Sequence, residues 1–71
     1  MMRIIDGRDM APPEPLELTL DALDALPQGE ELVLLLYCHP LPLFEILGKM
    51  GSTWTETIRA DGTHEIRIRK K

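Results

Sequence analysis

The sequence predicts an α+β two-layer sandwich in which the chain runs β-α-β-α-β-β and both helices cover one face of a four-stranded sheet. Leucines recur at helical spacing in two separate segments. Between them, residues 31–37 read ELVLLLY, a continuous apolar run typical of a central, buried strand. Asp61-Gly62 separates two alternating segments and predicts a hairpin. Helical crossovers make the first three strands parallel, and the hairpin makes the fourth antiparallel.

The first strand and helix occupy the first third of the chain. Residues 3–6 are extended and end at Gly7, and three prolines, Pro12, Pro13 and Pro15, delay the helix. Pro15 suits the first helical turn, where its missing N–H costs nothing. The apolar stripe of this helix consists of Leu16, Leu20, Leu23 and Leu26. Residues 27–30 form the turn that follows.

The second half begins with the buried strand 31–37, which Pro40 and Pro42 end. A second helix is predicted from Leu43 to Met50, with Gly51 as its terminator and Gly48 as a weak point. Strands over 54–60 and 64–69 complete the sheet, joined by Asp61-Gly62 as a two-residue turn. One set of side chains on these strands is expected under the helices: Trp54, Ile58, His64, Ile66 and Ile68.

Length and composition exclude several classes of protein. The 71 residues make a single domain over 1–71, with 44% hydrophobic and 28% charged residues and one cysteine, so no disulfide framework is possible. The longest uncharged run, residues 32–44, contains two prolines. A membrane span needs about 20 apolar residues. We therefore expect no membrane partner, and a cytoplasmic protein because no signal-peptide core follows the first residues.

The charge is unevenly distributed along the chain. Residues 1–31 contain eight acidic and two basic residues, whereas residues 32–71 contain four acidic and six basic ones. Nucleic-acid binders usually present a basic stripe on a basic domain. The basic excess here is a short cluster at residues 67–71 of a chain with net charge −4, so no nucleic-acid partner is expected.

Residues 5–18, IDGRDMAPPEPLEL, resemble the opening of the TusA/SirA-like sulfur-carrier superfamily. The resemblance continues through LPQGEE at 26–31 and EIRIRK at 65–70. The family fold implies the strand order 1-2-4-3 in a mixed sheet. In that superfamily a Cys-Pro-x-Pro motif carries a persulfide on its cysteine, and here Pro12-Pro13-Glu14-Pro15 stands in its place. The sequence is most similar to an uncharacterised branch with this PPEP motif, whose members have no settled activity.

The one thiol, Cys38, follows the second strand and precedes the second helix. Sites in parallel α/β sheets gather at the carboxyl ends of the strands. Cys38 should therefore lie at the same edge as the Pro12–Pro15 loop. Two hypotheses follow: a nucleophilic thiol beside a helix N-terminus, or a buried cysteine that behaves as a small hydrophobe.

His39 and His64 are the two histidines. In the order 1-2-4-3 the strand that begins at His64 pairs with the second strand, which brings His64 to the edge of the sheet that holds Cys38 and His39. The three side chains are candidate ligands of a transition metal. Their spacing matches no zinc signature, so the alternative is that both histidines are ordinary residues at the rim, and no cofactor is expected.

The open face of the sheet supports two interpretations. Either Leu32, Leu34 and Leu36 or Val33, Leu35 and Tyr37 must point away from the helices. Such a strip could form a homodimer or contact another protein. Alternatively, arginine stems cover it and pair with Glu65 and Glu56. The outward residues are expected to be Thr55, Thr57, Arg59, Glu65, Arg67 and Arg69.

Three functional hypotheses follow from these residues. The first is a non-enzymatic module that binds another protein, within sulfur or redox metabolism. The second is a sulfur carrier that uses Cys38, and the third is a metal-binding accessory domain that uses Cys38, His39 and His64. The binding edge of the first hypothesis consists of Arg8, Pro12, Pro13, Glu14, Pro15, His39, Pro40 and Pro42.

Overall fold

Six elements follow the predicted order in the computed structural model, which describes residues 2–70. They are β1 (Met2–Asp6), α1 (Glu14–Ala25), β2 (Glu31–Leu36), α2 (Leu41–Met50), β3 (Thr53–Ile58) and β4 (His64–Arg69). The sheet has the order β1-β2-β4-β3. β1 runs parallel to β2, and β4 is antiparallel to both β2 and β3. The predicted α+β architecture and strand order are confirmed.

Both helices begin with a proline in their first turn. α1 starts at Glu14, with Pro13 before it and Pro15 inside it. α2 starts at Leu41 rather than at the predicted Leu43, so Pro42 lies within the helix. A proline at this position removes an N–H that has no helical partner, and its fixed φ suits the helix. Pro15 thus lies in the first helical turn as predicted, whereas Pro42, which was predicted to precede the second helix, lies inside its first turn.

The hairpin turn is longer than the sequence predicts. β3 ends at Ile58 rather than Ala60, and residues 59–63 form the connection. The Arg59 N–H donates to the Thr63 carbonyl over 2.8 Å, and the Asp61 carboxylate accepts the Thr63 N–H over 2.9 Å. Gly62 has φ +90°, which only glycine adopts without strain. The Asp-Gly signal located the turn, but the Asp61 side chain stabilises a wider loop.

The core lies between the sheet and the two helices. Leu32, Leu34 and Leu36 of β2 face the helices. Ile66 and Ile68 of β4 lie beside them, as predicted, and both are fully buried. The helices contribute Leu23, Leu43, Phe44 and Leu47, and Leu26 adds to the core directly after α1. The prediction that Ile58 packs under the helices was wrong, because this residue is 63% exposed at the end of β3.

On the opposite face of the sheet, Val33 and Leu35 are 4% and 8% exposed. Arg67 lies opposite Val33 and donates hydrogen bonds to Glu65 over 2.7 Å and to Glu31 over 2.8 Å. The arginine therefore covers the apolar strip within the chain, as one of the two interpretations proposed. That interpretation named Glu65 and Glu56 as the acidic partners. Glu65 is one of them, but Glu56 lies on the helix side of the sheet and Glu31 is the second partner of Arg67.

Near this face, Ile4 and Tyr37 are 62% and 58% exposed. Tyr37 lies beyond the end of β2, so strand pairing does not continue to it. A homodimer through this face stays a prediction. Among residues 2–70, no helix has the length and apolar character needed to cross a membrane.

Candidate functional site

An apolar groove of about 340 Å³ lies between the two proline segments, at the edge of the sheet where β1 and β2 end. Its floor comes from β2, and its walls come from the chain before each helix and from the first helical turns. The lining residues are Pro12, Pro13, Pro15, Leu16, Leu34, Leu36, Cys38, His39, Pro40, Pro42 and Leu43. Because β1 and β2 are parallel neighbours, their following loops meet at one edge.

The prolines make this edge apolar in a way that ordinary helix starts do not. The first N–H groups of a helix usually point outward and attract anions. Here the N–H of Glu14 donates to the Ala11 carbonyl and that of Leu41 to the His39 carbonyl, both over 3.0 Å. The next residue in each helix is a proline, Pro15 or Pro42, which has no N–H. The groove therefore suits an apolar side chain better than a phosphate.

Arg8 stabilises the loop that leads into the groove. Its guanidinium donates to both oxygens of Asp6, over 2.9 and 2.8 Å, and reaches Thr63 Oγ1 at 3.5 Å. The hydrogen bond from the Arg8 side chain, together with one from its backbone N–H, lowers the pKa of Asp6 from 3.8 to about 2. Arg8, predicted as a binding residue, thus connects the end of β1 to the β3–β4 loop and does not line the groove.

The predicted binding residues are largely brought together. Of the eight named from the sequence, Pro12, Pro13, Pro15, His39, Pro40 and Pro42 line the groove. Glu14 is exposed beside it, on the first residue of α1. Cys38 is an exposed thiol in the groove wall, so it is not a core cysteine.

The predicted metal ligands are only partly brought together. Glu56, not Cys38, is the third member of the cluster that contains His39 and His64. His39 Nδ1 lies 3.0 Å from both carboxylate oxygens of Glu56, and His64 Nδ1 lies 2.8 Å from Oε2. Burial raises the pKa of Glu56, but hydrogen bonds from His64 and His39 outweigh it, so the pKa lies below its ordinary value of 4.5.

Aromatic rings connect this cluster to the core. The ring of Phe44 meets His39 edge to face at 4.9 Å, and it stacks on Trp54 at 5.2 Å. Trp54 and Glu56 lie on the same side of β3, since side chains alternate along a strand. That alternation was visible in the sequence and was the signal that could have assigned Glu56 to the helix side.

The fold is that of the small SirA-like α+β domains. A SirA-like protein from Desulfitobacterium hafniense has a crystal structure that matches with a TM-score of 0.85 at 22% identity, over 97% of this chain and 96% of that one. The family profile of DUF2249, described as an uncharacterized conserved protein, matches residues 4–70. The chain belongs to the DUF2249 family.

A comparison with curated proteins finds no match. The likeness to the SirA-like protein establishes the fold, which confirms the resemblance noted from the sequence. One fold can host many functions, and the features that distinguish this chain are the groove and the His39–Glu56–His64 cluster.

Proposed function

We propose that this protein is a non-enzymatic interaction module that binds a segment of another protein in the proline-lined groove. The observation that carries the proposal is the groove itself, about 340 Å³ in volume and lined mainly by proline and leucine side chains. Grooves of this kind bury an apolar anchor residue of a partner. The resemblance to SirA-like proteins suggests that the partner belongs to sulfur or redox metabolism.

The charges beside the groove specify the chemistry of the partner. α1 begins at the groove wall and contains Glu14, Glu17, Asp21 and Asp24, all exposed, with no basic residue between positions 14 and 25. An acidic surface attracts basic segments and repels acidic ones. We infer that the partner presents a leucine or phenylalanine flanked by lysine or arginine.

Substitution of Cys38 by glutamate should weaken the binding of such a segment by about tenfold or more, because a carboxylate in the wall must be desolvated when the anchor enters. The probes are labelled peptides with a central Leu-Phe pair flanked by lysines, and a matched set flanked by glutamates. Fluorescence anisotropy gives the Kd of each peptide. Only the lysine-flanked set should bind the wild type.

Ile58→Glu is the matched control, since Ile58 is exposed and lies outside the groove. It should leave the Kd unchanged. Glu14→Lys should raise the Kd of the lysine-flanked peptides without disturbing the fold. If the Cys38→Glu and wild-type proteins bind the peptide with equal Kd, the peptide does not bind in the groove. Failure of every apolar peptide to bind would contradict the interaction proposal.

A second function, sulfur carriage by Cys38, is supported by the exposure of this thiol in the groove wall beside Pro12 and Pro13. By the resemblance noted from the sequence, these prolines stand where the TusA/SirA-like superfamily has its Cys-Pro-x-Pro motif. In the transfer step, the Cys38 thiolate attacks the outer sulfur of a donor persulfide. An S–S bond forms at Cys38, the donor S–S bond breaks, and the donor leaves as a thiolate.

The carrier function predicts that incubation with a cysteine desulfurase and cysteine adds one sulfur atom to the intact mass of the folded protein. Cys38→Ser should take up none, because no other cysteine exists in the chain. If the wild type also stays unmodified while alkylation shows that Cys38 is accessible, the carrier function is excluded. Peptide binding by Cys38→Ser should persist in either case, which separates the two functions.

A further inference from the structure

Three segments that are distant in sequence converge on one point of the helix side of the sheet. His39 follows β2, Glu56 lies in β3 and His64 begins β4. The register explains the convergence, since His64 pairs with Leu36 on one side and with Ile58 on the other. Glu56 lies two residues before Ile58 on the same face of β3, and is therefore the diagonal neighbour of His64.

The separations of the nitrogen and oxygen atoms suit a shared metal ion. The potential ligand atoms of the three side chains all lie within 4.8 Å of one another. Zinc binds histidine nitrogen and carboxylate oxygen at about 2.0–2.2 Å, which places neighbouring ligands of a tetrahedral site about 3.4 Å apart. The observed contacts of 2.8 and 3.0 Å are close to that spacing. Small side-chain rotations would bring all three ligand atoms onto one ion.

The surroundings of the cluster leave access from one side. The side chains of His64 and Glu56 are 16% and 19% exposed, whereas that of His39 is 53% exposed. Phe44 packs edge to face against the His39 ring and holds it near the carboxylate. Two ligands are thus anchored in the sheet, and the third closes the site from the loop before α2. A water molecule can enter as a fourth ligand from the side of His39.

We propose that His39, Glu56 and His64 bind one divalent transition-metal ion, such as Zn²⁺, with water completing its coordination. Two imidazoles and a carboxylate are the ligand set of several zinc and non-haem iron sites, and borderline metals prefer these ligands. The site differs from the one considered from the sequence alone because Glu56 replaces Cys38. His39 also lines the groove, so the metal site and the groove share one side chain, but binding of the ion requires no partner.

The test is calorimetric titration of the full chain, stripped of metal by a chelator, with Zn²⁺. The expected result is one ion per chain. Glu56→Gln keeps the size and hydrogen-bonding shape of the side chain but removes its charge. It should raise the Kd for Zn²⁺ more than about tenfold. Even the removal of a residue that only hydrogen-bonds to a metal ligand lowers metal affinity about 10–100-fold. His64→Asn should do the same.

Two control variants separate this site from other metal binding. Glu45→Gln removes an exposed carboxylate from α2, and Cys38→Ser removes the thiol next to His39. Both should keep the wild-type Kd. Circular dichroism of each variant verifies folding, so a loss of binding by a folded Glu56→Gln protein reports on the site itself. Co²⁺ provides an independent readout, because thiolate ligation would add a sulfur-to-cobalt charge-transfer band, and we expect none.

The proposal is overturned by any of three results. One is the absence of Zn²⁺ binding by the wild type, which would leave the cluster as a hydrogen-bonded link between β3, β4 and the loop before α2. Another is undiminished affinity in Glu56→Gln. The last is loss of binding in Cys38→Ser, which would assign the ion to the thiol.

Discussion

Leu47→Ala is expected to lower the free energy of unfolding by about 3 kcal/mol. Leu47 lies in α2 and is fully buried against the leucines and isoleucines of the sheet. Truncation removes apolar contacts and leaves a cavity that the surrounding side chains fill only in part. A small domain has a stability of only about 5–15 kcal/mol, so this loss is a large share of the total. Urea denaturation followed by circular dichroism measures it.

The matched control is Leu41→Ala in the same helix, because Leu41 is 56% exposed. It should change the free energy of unfolding by less than about 0.5 kcal/mol. The same Leu→Ala change is thus expected to destabilise the protein strongly at the buried Leu47 and only slightly at the exposed Leu41. Equal destabilisation by the two substitutions would mean that α2 does not pack on the sheet through the face described above.

Gly7→Ala is expected to destabilise the protein by about 1–3 kcal/mol, although it adds one methyl group. A Cβ at Gly7 would lie 2.9 Å from Leu36 Cδ2, 3.2 Å from Pro15 Cβ and 3.3 Å from the Leu35 carbonyl oxygen. The Leu36 methyl can rotate away, but the Pro15 ring and the Leu35 backbone cannot. The Gly7 N–H donates to that same carbonyl over 2.8 Å, which prevents the backbone from moving back.

Gly48→Ala should have the opposite effect and stabilise the protein by about 0.5–1 kcal/mol. Gly48 lies inside α2, and a Cβ there has no atom within 4 Å outside the helix. Comparing the two variants by urea denaturation separates steric crowding from backbone entropy. A neutral Gly7→Ala would show that the junction of β1, β2 and α1 is looser than these distances indicate. Because Leu36 and Pro15 also line the groove, Gly7→Ala should in addition weaken peptide binding.

The groove was largely predictable because its parts are local signals. Prolines mark the ends of two strands by their own covalent geometry, and parallel neighbouring strands must bring the following loops to one edge. The sequence did not indicate that Pro42 lies inside α2, since a proline in the first turn and a proline before a helix differ only in backbone dihedral angles. Both positions line the groove, since Pro40 contributes from before the helix and Pro42 from inside it.

The histidine cluster was predictable only in part. Strand order alone brings His39 and His64 to one edge, and the sequence identified both. The alternation that placed Trp54 and Ile58 under the helices also puts Glu56 on that face. Its position next to His64, however, depends on the pairing register of β3 with β4. Cys38 and His39 are adjacent in the chain, yet only His39 lies in the cluster.

The sequence by itself determined the order of the elements, the central position of β2 and the proline-lined edge, because periodicity, β-propensity and proline geometry act over a few residues. Only the tertiary structure decided that Arg67 covers Val33 and Leu35, that Glu56 joins the two histidines, and that the hairpin loop spans residues 59–63. These features depend on register and side-chain packing between segments far apart in the chain. Such contacts form only when the whole sheet is assembled.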